Sequence, residues 1–541
     1  MASDSPIEGI GQAHFDVTVV GTGLSESIAA SALAKQGFSV LHLDEHEYYG
    51  DRHASLTVDE MMQWVDEIRA SPATQFADAS YEFPSEEFKN DLPRVARQYS
   101  LSLFPTVLPA RGDLIETLIE EDVGKYVNFR LVDGVAIHQA ASPGEASSTR
   151  SWKRVPAGKD QIFKDSSLSL LEKRRLMKFI MFASSEKGFS LGGEDVDPLL
   201  RGKEAEPIID YLRSSFQLSN MLAETIAYGI AFCSSPSDPV GPAMIRMNRY
   251  FKSIGRYGSS PFLVAQYGGI GEITQAFCRA CAVHGGTYIL GSQSKISDLQ
   301  ISPTPSQNGA SHPIVFSIPA HPSPISTDLL ISGSPLGHPS IATNEPSTSS
   351  LQANCLAILK DMPPSIKAAF ASGTSELEDP DDLEAREMSQ DVLILIFPPG
   401  SVEGAPVTAV RALLMGSGTG SCPADQFTLY VQADMTNDAK DPKTVLLPYI
   451  TRLLDRHPAE FLSFYSSNQT KIPSILPPST HRRSSEEEIQ PTAFANPELC
   501  EGLDLEARRA KAILKLGLSI LPTRREETAT RDIAIATDVS C

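Results

Sequence analysis

Apolar positions along this chain follow two rhythms, one of strands and one of helices. Residues 15–20, Phe-Asp-Val-Thr-Val-Val, run into Gly21-Thr-Gly23 and then into Leu24, Ile28, Ala29 and Leu33 at helical spacing, which predicts a strand, a tight turn and a helix. A second apolar stretch, residues 38–43, ends in Asp44, 21 residues after Gly23. That is the layout of a βαβ unit whose second strand finishes in an acid able to hold a ribose. Further on, Ser169 and Glu172 form a capping box ahead of residues 170–187, a stretch without proline or glycine. There Leu176, Met177, Phe179, Ile180, Met181 and Phe182 point in nearly every direction, so the helix is expected to be covered on all sides. Pro207 opens another helical segment carrying Ile208, Ile209, Leu212 and Phe216, followed by Leu218, Met221, Leu222, Ile226 and Tyr228.

Residues 158–235 therefore read as a small all-helical domain inserted into a larger α/β domain made of residues 1–157 and 236–541. Two stretches interrupt the larger domain. Residues 301–350 hold nine prolines and many serines, and residues 466–497 include the charge-segregated Arg482-Arg-Ser-Ser-Glu-Glu-Glu488. Both read as low-complexity surface insertions, apart from a strand at residues 328–332. Residues 392–397, 407–415 and 427–432 read as strands, and 503–518 as a closing amphipathic helix. The expected fold class is α/β, with an FAD/NAD(P)-binding-like (Rossmann-type), multi-sheet domain and the helical insertion.

Length and charge narrow the function. At 541 residues, 41% hydrophobic and 21% charged, the chain has the composition of a multidomain globular protein. Its 46 Lys plus Arg against 67 Asp plus Glu leave a charge of −21, which excludes a nucleic acid as main partner. Seven cysteines, an odd number, and a start without basic and apolar leader regions point to a reducing cytosol. No apolar run approaches the roughly 18 residues of a membrane span, and Cys541 stands last instead of fourth from the end, outside any prenylation box.

The glycine turn is the first chemical clue. A working dinucleotide fingerprint has Gly or Ala at its third position, where the helix packs close to the strand and faces the pyrophosphate. Here that position is Glu26. A carboxylate beside phosphates repels them, so Gly21, Gly23, Glu26 and Asp44 read as a degenerate dinucleotide motif in a fold that carries no cofactor. A flavin-dependent oxidoreductase is the less favoured reading.

The run Asp16-Val-Thr-Val-Val-Gly-Thr-Gly-Leu-Ser-Glu26, followed by Val40-Leu-His-Leu-Asp44 and Tyr48-Tyr49-Gly50, resembles the superfamily of Rab GDP dissociation inhibitors and Rab escort proteins. The resemblance continues, in order, at Leu108-Pro-Ala-Arg-Gly-Asp-Leu-Ile115, Val155-Pro156, Leu171-Glu-Lys-Arg-Arg-Leu-Met-Lys-Phe179 and Arg256-Tyr-Gly-Ser-Ser-Pro-Phe262. It closes at Tyr267-Gly-Gly-Ile-Gly-Glu-Ile-Thr-Gln-Ala-Phe-Cys-Arg279 and Gly285-Gly-Thr-Tyr288, with a weaker echo around residues 325–435. It implies a non-enzymatic protein without cofactor that binds GDP-bound Rab GTPases through Tyr49, Glu272, Arg279 and Thr287. By spacing alone, Glu272 and Arg279, seven residues apart on one helix, read equally as a solvated charged face. Asp51 departs from the family, which usually continues with a second glycine after Gly50.

The wording around Glu172–Phe179, Arg111 and the cysteines of Phe277-Cys-Arg-Ala-Cys-Ala-Val283 looks like the escort branch, whose members present Rab to Rab geranylgeranyl transferase and deliver it to membranes. The alternative is a dissociation inhibitor that recycles prenylated Rab. The resemblance further implies an isoprenyl pocket in the helical insertion, with Met177, Phe179, Met181 and Phe182 as candidates because thioethers and aromatics adapt to an irregular apolar guest. Plain core packing is the other reading of each. His284 is the candidate contact to the transferase. His312, His321 and His338 lack the spacing of a metal site, so none is expected, and Cys278-x-x-Cys281 on a helix is not expected to do redox chemistry.

Overall fold

The computed structural model describes residues 11–70, 76–139, 152–156, 162, 168–185, 189, 197–301, 314–332, 351–371, 390–402, 408–435, 441–455, 457–468, 474–476 and 498–521. Two large sheets organise it. The first begins with the expected unit, strand His14–Val20, helix Leu24–Lys35 and strand Val40–Asp44. Its order is Thr287–Leu290, Val40–Asp44, His14–Val20, Ile325–Ser332, Ile314–Ser317, Ser297–Ile301, with Ser474–Leu476 also pairing to Ile325–Ser332. The first four are parallel, in register from Thr287 beside Leu41 through Val17 beside Val40 to Val17 beside Leu329. The buried helix Leu24–Lys35 has no polar face to give to solvent over residues 24–34, because helix Ile270–Val283 packs on one flank and the closing helix Glu498–Ile520 on another.

The second sheet has eight strands, in the order Phe76–Glu82, Phe461–Asn468, Leu351–Leu359, Phe427–Asp434, Val410–Gly416, Val392–Phe397, Gly134–His138, Trp152–Arg154. Val392–Phe397 explains why the interior is continuous. Its even positions Val392, Ile394 and Ile396 enter one apolar cluster and Leu393, Leu395 and Phe397 enter another, all with no exposed surface. A strand buried on both faces needs no polar alternation. A small sheet has the order Leu108–Pro109, Phe262–Ala265, Phe129–Leu131.

The helical layer comprises Leu170–Ala183, Ile208–Phe216, Asn220–Gly229 and Val240–Ser253. Ser169 and Glu172 form the expected reciprocal cap. The helical segment after Pro207 is two helices, because Gln217 turns left-handed at φ 54° and ends the first. Helix Val240–Ser253 packs on the first two members of the layer, so the layer extends beyond residue 235. The layer is also not sealed off: Phe179, Leu212 and Met247 share one apolar cluster with Ile137, Leu356 and Ile394 of the second sheet.

Three expectations change. Helix Leu170–Ala183 is not covered all round: Leu176, Phe179, Ile180 and Ala183 are buried, while Met181 is 70% exposed. Within 301–350, strand Ile314–Ser317 pairs with Ile325–Ser332 and buries Ile314 and Phe316. Its four residues are too short a period-two signal to stand out among prolines. Within 466–497, strand Ser474–Leu476 joins the first sheet through Leu330–Ser332. The remaining residues of both stretches lie outside the described ones.

Candidate functional site

The glycine turn and the family platform meet in one region. At the turn, the Gly21 amide donates to the Leu43 carbonyl at 2.7 Å, tying the two strands. The Thr22 amide and hydroxyl both donate to Oδ2 of Asp44, at 2.7 and 2.5 Å. The other oxygen, Oδ1, meets the His46 amide and ring nitrogen, each at 2.9 Å. Burial alone would raise the Asp44 carboxyl, but these bonds from His46 and Thr22 outweigh it and hold it below its ordinary value, while the His46 ring is pushed up to about 9 by the same contact.

Glu26 is buried and folds back over the turn, so that a Cβ on Gly23 would lie 2.5 Å from its Oε2. Burial, then the nearby Glu506, push its carboxyl up to about 8. Beside the turn Glu26 therefore favours its protonated form, and its side chain fills the space next to Gly23. The negative charge before the turn belongs to Glu506 of the closing helix, whose carboxylate accepts from Ser25 Oγ, from Arg52 at 2.7 Å and from Arg509 at 2.9 Å. Burial works against its ionisation, and Arg52 and Arg509 override that, lowering it to about 2. The Leu24 amide faces His53 Nδ1 at 3.4 Å. The donors and acceptors a dinucleotide would use are thus engaged by the chain itself, and the residues do not fit that group.

Along helix Ile270–Val283 lies a cleft of about 290 Å³. The helix buries Ile270, Ile273, Phe277 and Ala280 and turns Glu272, Gln275 and Arg279 into the cleft, the i, i+3, i+7 face of an amphipathic helix. Tyr49 enters from the loop after Val40–Asp44, Tyr126 from the short turn Gly124–Tyr126, and Tyr288 from strand Thr287–Leu290. The Arg279 guanidinium stands 4.9 Å from the Tyr126 ring, and Tyr49 meets Tyr288 edge-on at 5.9 Å. Burial raises the Glu272 carboxyl.

A buried histidine links the cleft to the turn. His42 Nε2 lies 2.7 Å from the Gly21 carbonyl and Nδ1 lies 3.1 Å from the Tyr288 hydroxyl. A carbonyl only accepts, so Nε2 carries the proton and Nδ1 accepts from Tyr288. Burial lowers His42 to about 4, keeping it neutral. Cys278 reaches the cleft floor beside Ser27 Oγ, at 3.3 Å. Burial pushes Cys278 up to about 12 and Cys281 to about 11, which leaves thiols and not reactive thiolates.

The structure therefore gathers Tyr49, Glu272 and Arg279 and sets Thr287, half-buried and paired with Leu41, next to Tyr288 outside the lining. Tyr126 and Tyr288 were not singled out from sequence, although Tyr288 stands in a motif; Tyr126 has no local signal. His284 is exposed at the end of helix Ile270–Val283. The four isoprenyl candidates separate: Phe179 is fully buried with its ring 5.2 Å from Phe216, Phe182 is half-buried 5.3 Å from Phe216, Met177 is half-buried and Met181 faces outward. Away from the cleft, His14, Asp16 and Asp328 bring donor atoms within 4.8 Å of one another, but Asp16 already accepts from the Ser39 amide and hydroxyl at 2.7 Å. Among the described residues no helix is long and apolar enough to cross a membrane.

Comparison with known proteins bears on the family and the fold. The chain is 27% identical, over 83% of its length, to the Candida albicans protein named Rab proteins geranylgeranyltransferase component A, and spans 64% of that relative. It is 30% identical over 51% of its length to the Saccharomyces cerevisiae Rab GDP-dissociation inhibitor, spanning 58% of it. In three dimensions it resembles the Rab GDI from Plasmodium falciparum at a TM-score of 0.57 and 19% identity, over 85% of this chain and 91% of that one, which carries the fold. The model of the GDP dissociation inhibitor family matches residues 11–302, more than half of the chain, and the protein belongs to that family.

Proposed function

We propose that this protein is a Rab escort protein: it binds GDP-bound Rab GTPases, presents them to Rab geranylgeranyl transferase for prenylation of their C-terminal cysteines, and delivers the product to membranes from the cytosol. It is an accessory component, and the bond-making groups belong to the transferase. The observation that carries the reading is the cleft in which Tyr49, Glu272 and Arg279, drawn from distant segments, face one opening with Tyr126 and Tyr288. An aromatic rim with one guanidinium and one carboxyl suits a folded protein surface, through stacking and charge-assisted hydrogen bonds. Thr287 extends the same platform.

In this reading the isoprenyl chains lodge in the helical layer, where the half-buried Met177 and Phe182 can move aside and the exposed Met181 can fold over a guest; Phe179 serves as the wall. A C20 chain gains about 0.8 kcal/mol per CH2-sized unit on burial, so most of it must enter to compete with a bilayer. His284 is the proposed point of contact with the transferase. The test is direct: purified protein added to transferase, Rab·GDP and geranylgeranyl diphosphate switches on Rab prenylation. Absence of stimulation together with intact extraction of prenylated Rab from membranes replaces this reading with that of a recycling dissociation inhibitor, which the matched Saccharomyces cerevisiae inhibitor favours.

A further inference from the structure

We propose that Glu506 is a positioning residue for the cleft: it clasps the closing helix Glu498–Ile520 onto the glycine turn and so holds the loop that carries Tyr49. The helix lies outside the residues matched by the family model, 11–302. Its buried face nevertheless carries two carboxylates, Asp504 and Glu506, each serving the start of another helix. Asp504 accepts from the Leu114 amide at 3.0 Å, at the N-terminus of helix Asp113–Glu120, and from Arg249 at 2.7 Å. Glu506 accepts from Ser25 Oγ in the first turn of helix Leu24–Lys35. A negative charge at a helix start is where the peptide dipoles favour it.

The clasp continues into the cleft. Glu506 binds Arg52, three residues after Tyr49, and Arg52 stands 5.1 Å over the Phe104 ring. Between them the chain is pinned at each step: the Gly50 amide donates to Thr22 Oγ1 at 2.9 Å, the His53 amide to the Gly50 carbonyl at 2.8 Å and the Ala54 amide to the Asp51 carbonyl at 3.1 Å. The loop is therefore held in front by the turn and behind by the closing helix.

The arrangement has a pH signature. Glu26 is faced by Glu506 from the closing helix and by Asp51 and Arg52 from the following turn; Glu506 in turn is paired with Arg509 and acts on His53. Clasped, Glu26 keeps its proton to about pH 8, against an ordinary value of 4.5; released, it ionises. The released form binds fewer protons between those values, so rising pH favours release across that window. His53, lowered from 6.5 to about 3 by burial, has the opposite sign but acts only below about pH 6.5. Glu506 stays ionised throughout.

The test is hydrogen exchange at the Gly50, His53 and Ala54 amides of the full chain without partners, from pH 6.5 to 8, corrected for intrinsic chemistry. Wild-type protection falls with pH more steeply than that of Glu26→Gln, by up to about tenfold per pH unit. His46 titrates alike in both, so the difference isolates Glu26. Glu506→Gln lowers protection at every pH. Protection in folded Glu506→Gln or Arg52→Gln equal to that of wild type overturns the clasp, the second variant removing the same ion pair from its other side; equal slopes in wild type and Glu26→Gln overturn its pH signature. The consequence for Rab rests on the proposed function and is read separately by titrating Rab·GDP into the same variants beside Arg279→Ala. Weaker binding in step with lost protection supports positioning. Lost protection with unchanged binding overturns it if Arg279→Ala binds weakly; if Arg279→Ala also binds normally, the platform reading fails and the clasp stands.

Discussion

Arg279 offers the sharpest test of the cleft, because its role in the free protein is small and the role proposed for it in the complex is large. Without a partner, the exposed guanidinium lies 4.9 Å from the Tyr126 ring. Such an exposed cation–π contact is worth about 0.5–1 kcal/mol, so Arg279→Ala costs little stability. In the proposed complex the same group is expected to be desolvated between Tyr126 and the docked GTPase. Truncating a buried, charge-paired interface arginine costs about 2–4 kcal/mol, roughly 30-fold to 1,000-fold in the dissociation constant. Tyr126→Leu removes the ring that presents the guanidinium, and the Arg279→Ala/Tyr126→Leu double variant is weakened by less than the sum of the singles, since each loses part of the same contact. Lys35→Ala is the control: Lys35 is paired with Glu121 at 3.0 Å and does not line the cleft, and its loss leaves Rab binding unchanged. Fluorescence titration with Rab·GDP measures affinity, and a urea melt measures stability. If folded Arg279→Ala binds as tightly as wild type, or Lys35→Ala weakens binding equally, the cleft is not the Rab surface.

Other outcomes follow from the same geometry. Gly50 holds φ at 108°, and a Cβ there would lie 3.0 Å from the backbone of Ala54, so Gly50→Ala destabilises by about 2–4 kcal/mol through strain and overlap, seen as a lower urea midpoint, and weakens Rab binding by moving Tyr49. The purified protein is colourless, since Asp44 and the turn are engaged internally; a stoichiometric flavin spectrum would revive the oxidoreductase. Replacing residues 333–350 or 477–497 with short Gly/Ser linkers preserves Rab prenylation, whereas removing Ile314–Ser317 or Ser474–Leu476 opens the first sheet at Ile325–Ser332 and lowers the melting temperature.

The parts of the fold legible in sequence are those whose signal is local. The strand, turn and helix around Gly21 carry their own periodicity, as do Val392–Phe397 and the capped helix Leu170–Ala183. The helix face bearing Glu272 and Arg279 is legible once its buried positions are marked. Contacts across hundreds of residues are not: nothing near Glu26 announces Glu506, and nothing near Arg279 announces Tyr126. Even the raised pKa of Glu26 comes from burial and from Glu506, 480 residues away in the chain, which no local motif reports. The short strand Ile314–Ser317 was hidden because four residues in a proline-rich stretch form a sheet only through their partners.

The central claim is measured most directly by a prenylation reaction with purified components. Transferase, Rab·GDP and geranylgeranyl diphosphate are combined with no addition, with wild-type protein and with Arg279→Ala, and transfer to the Rab cysteines is followed with time. The account predicts prenylation that depends on the wild-type protein and is restored with Arg279→Ala only at much higher concentration. Prenylation at the same rate with and without the protein contradicts it.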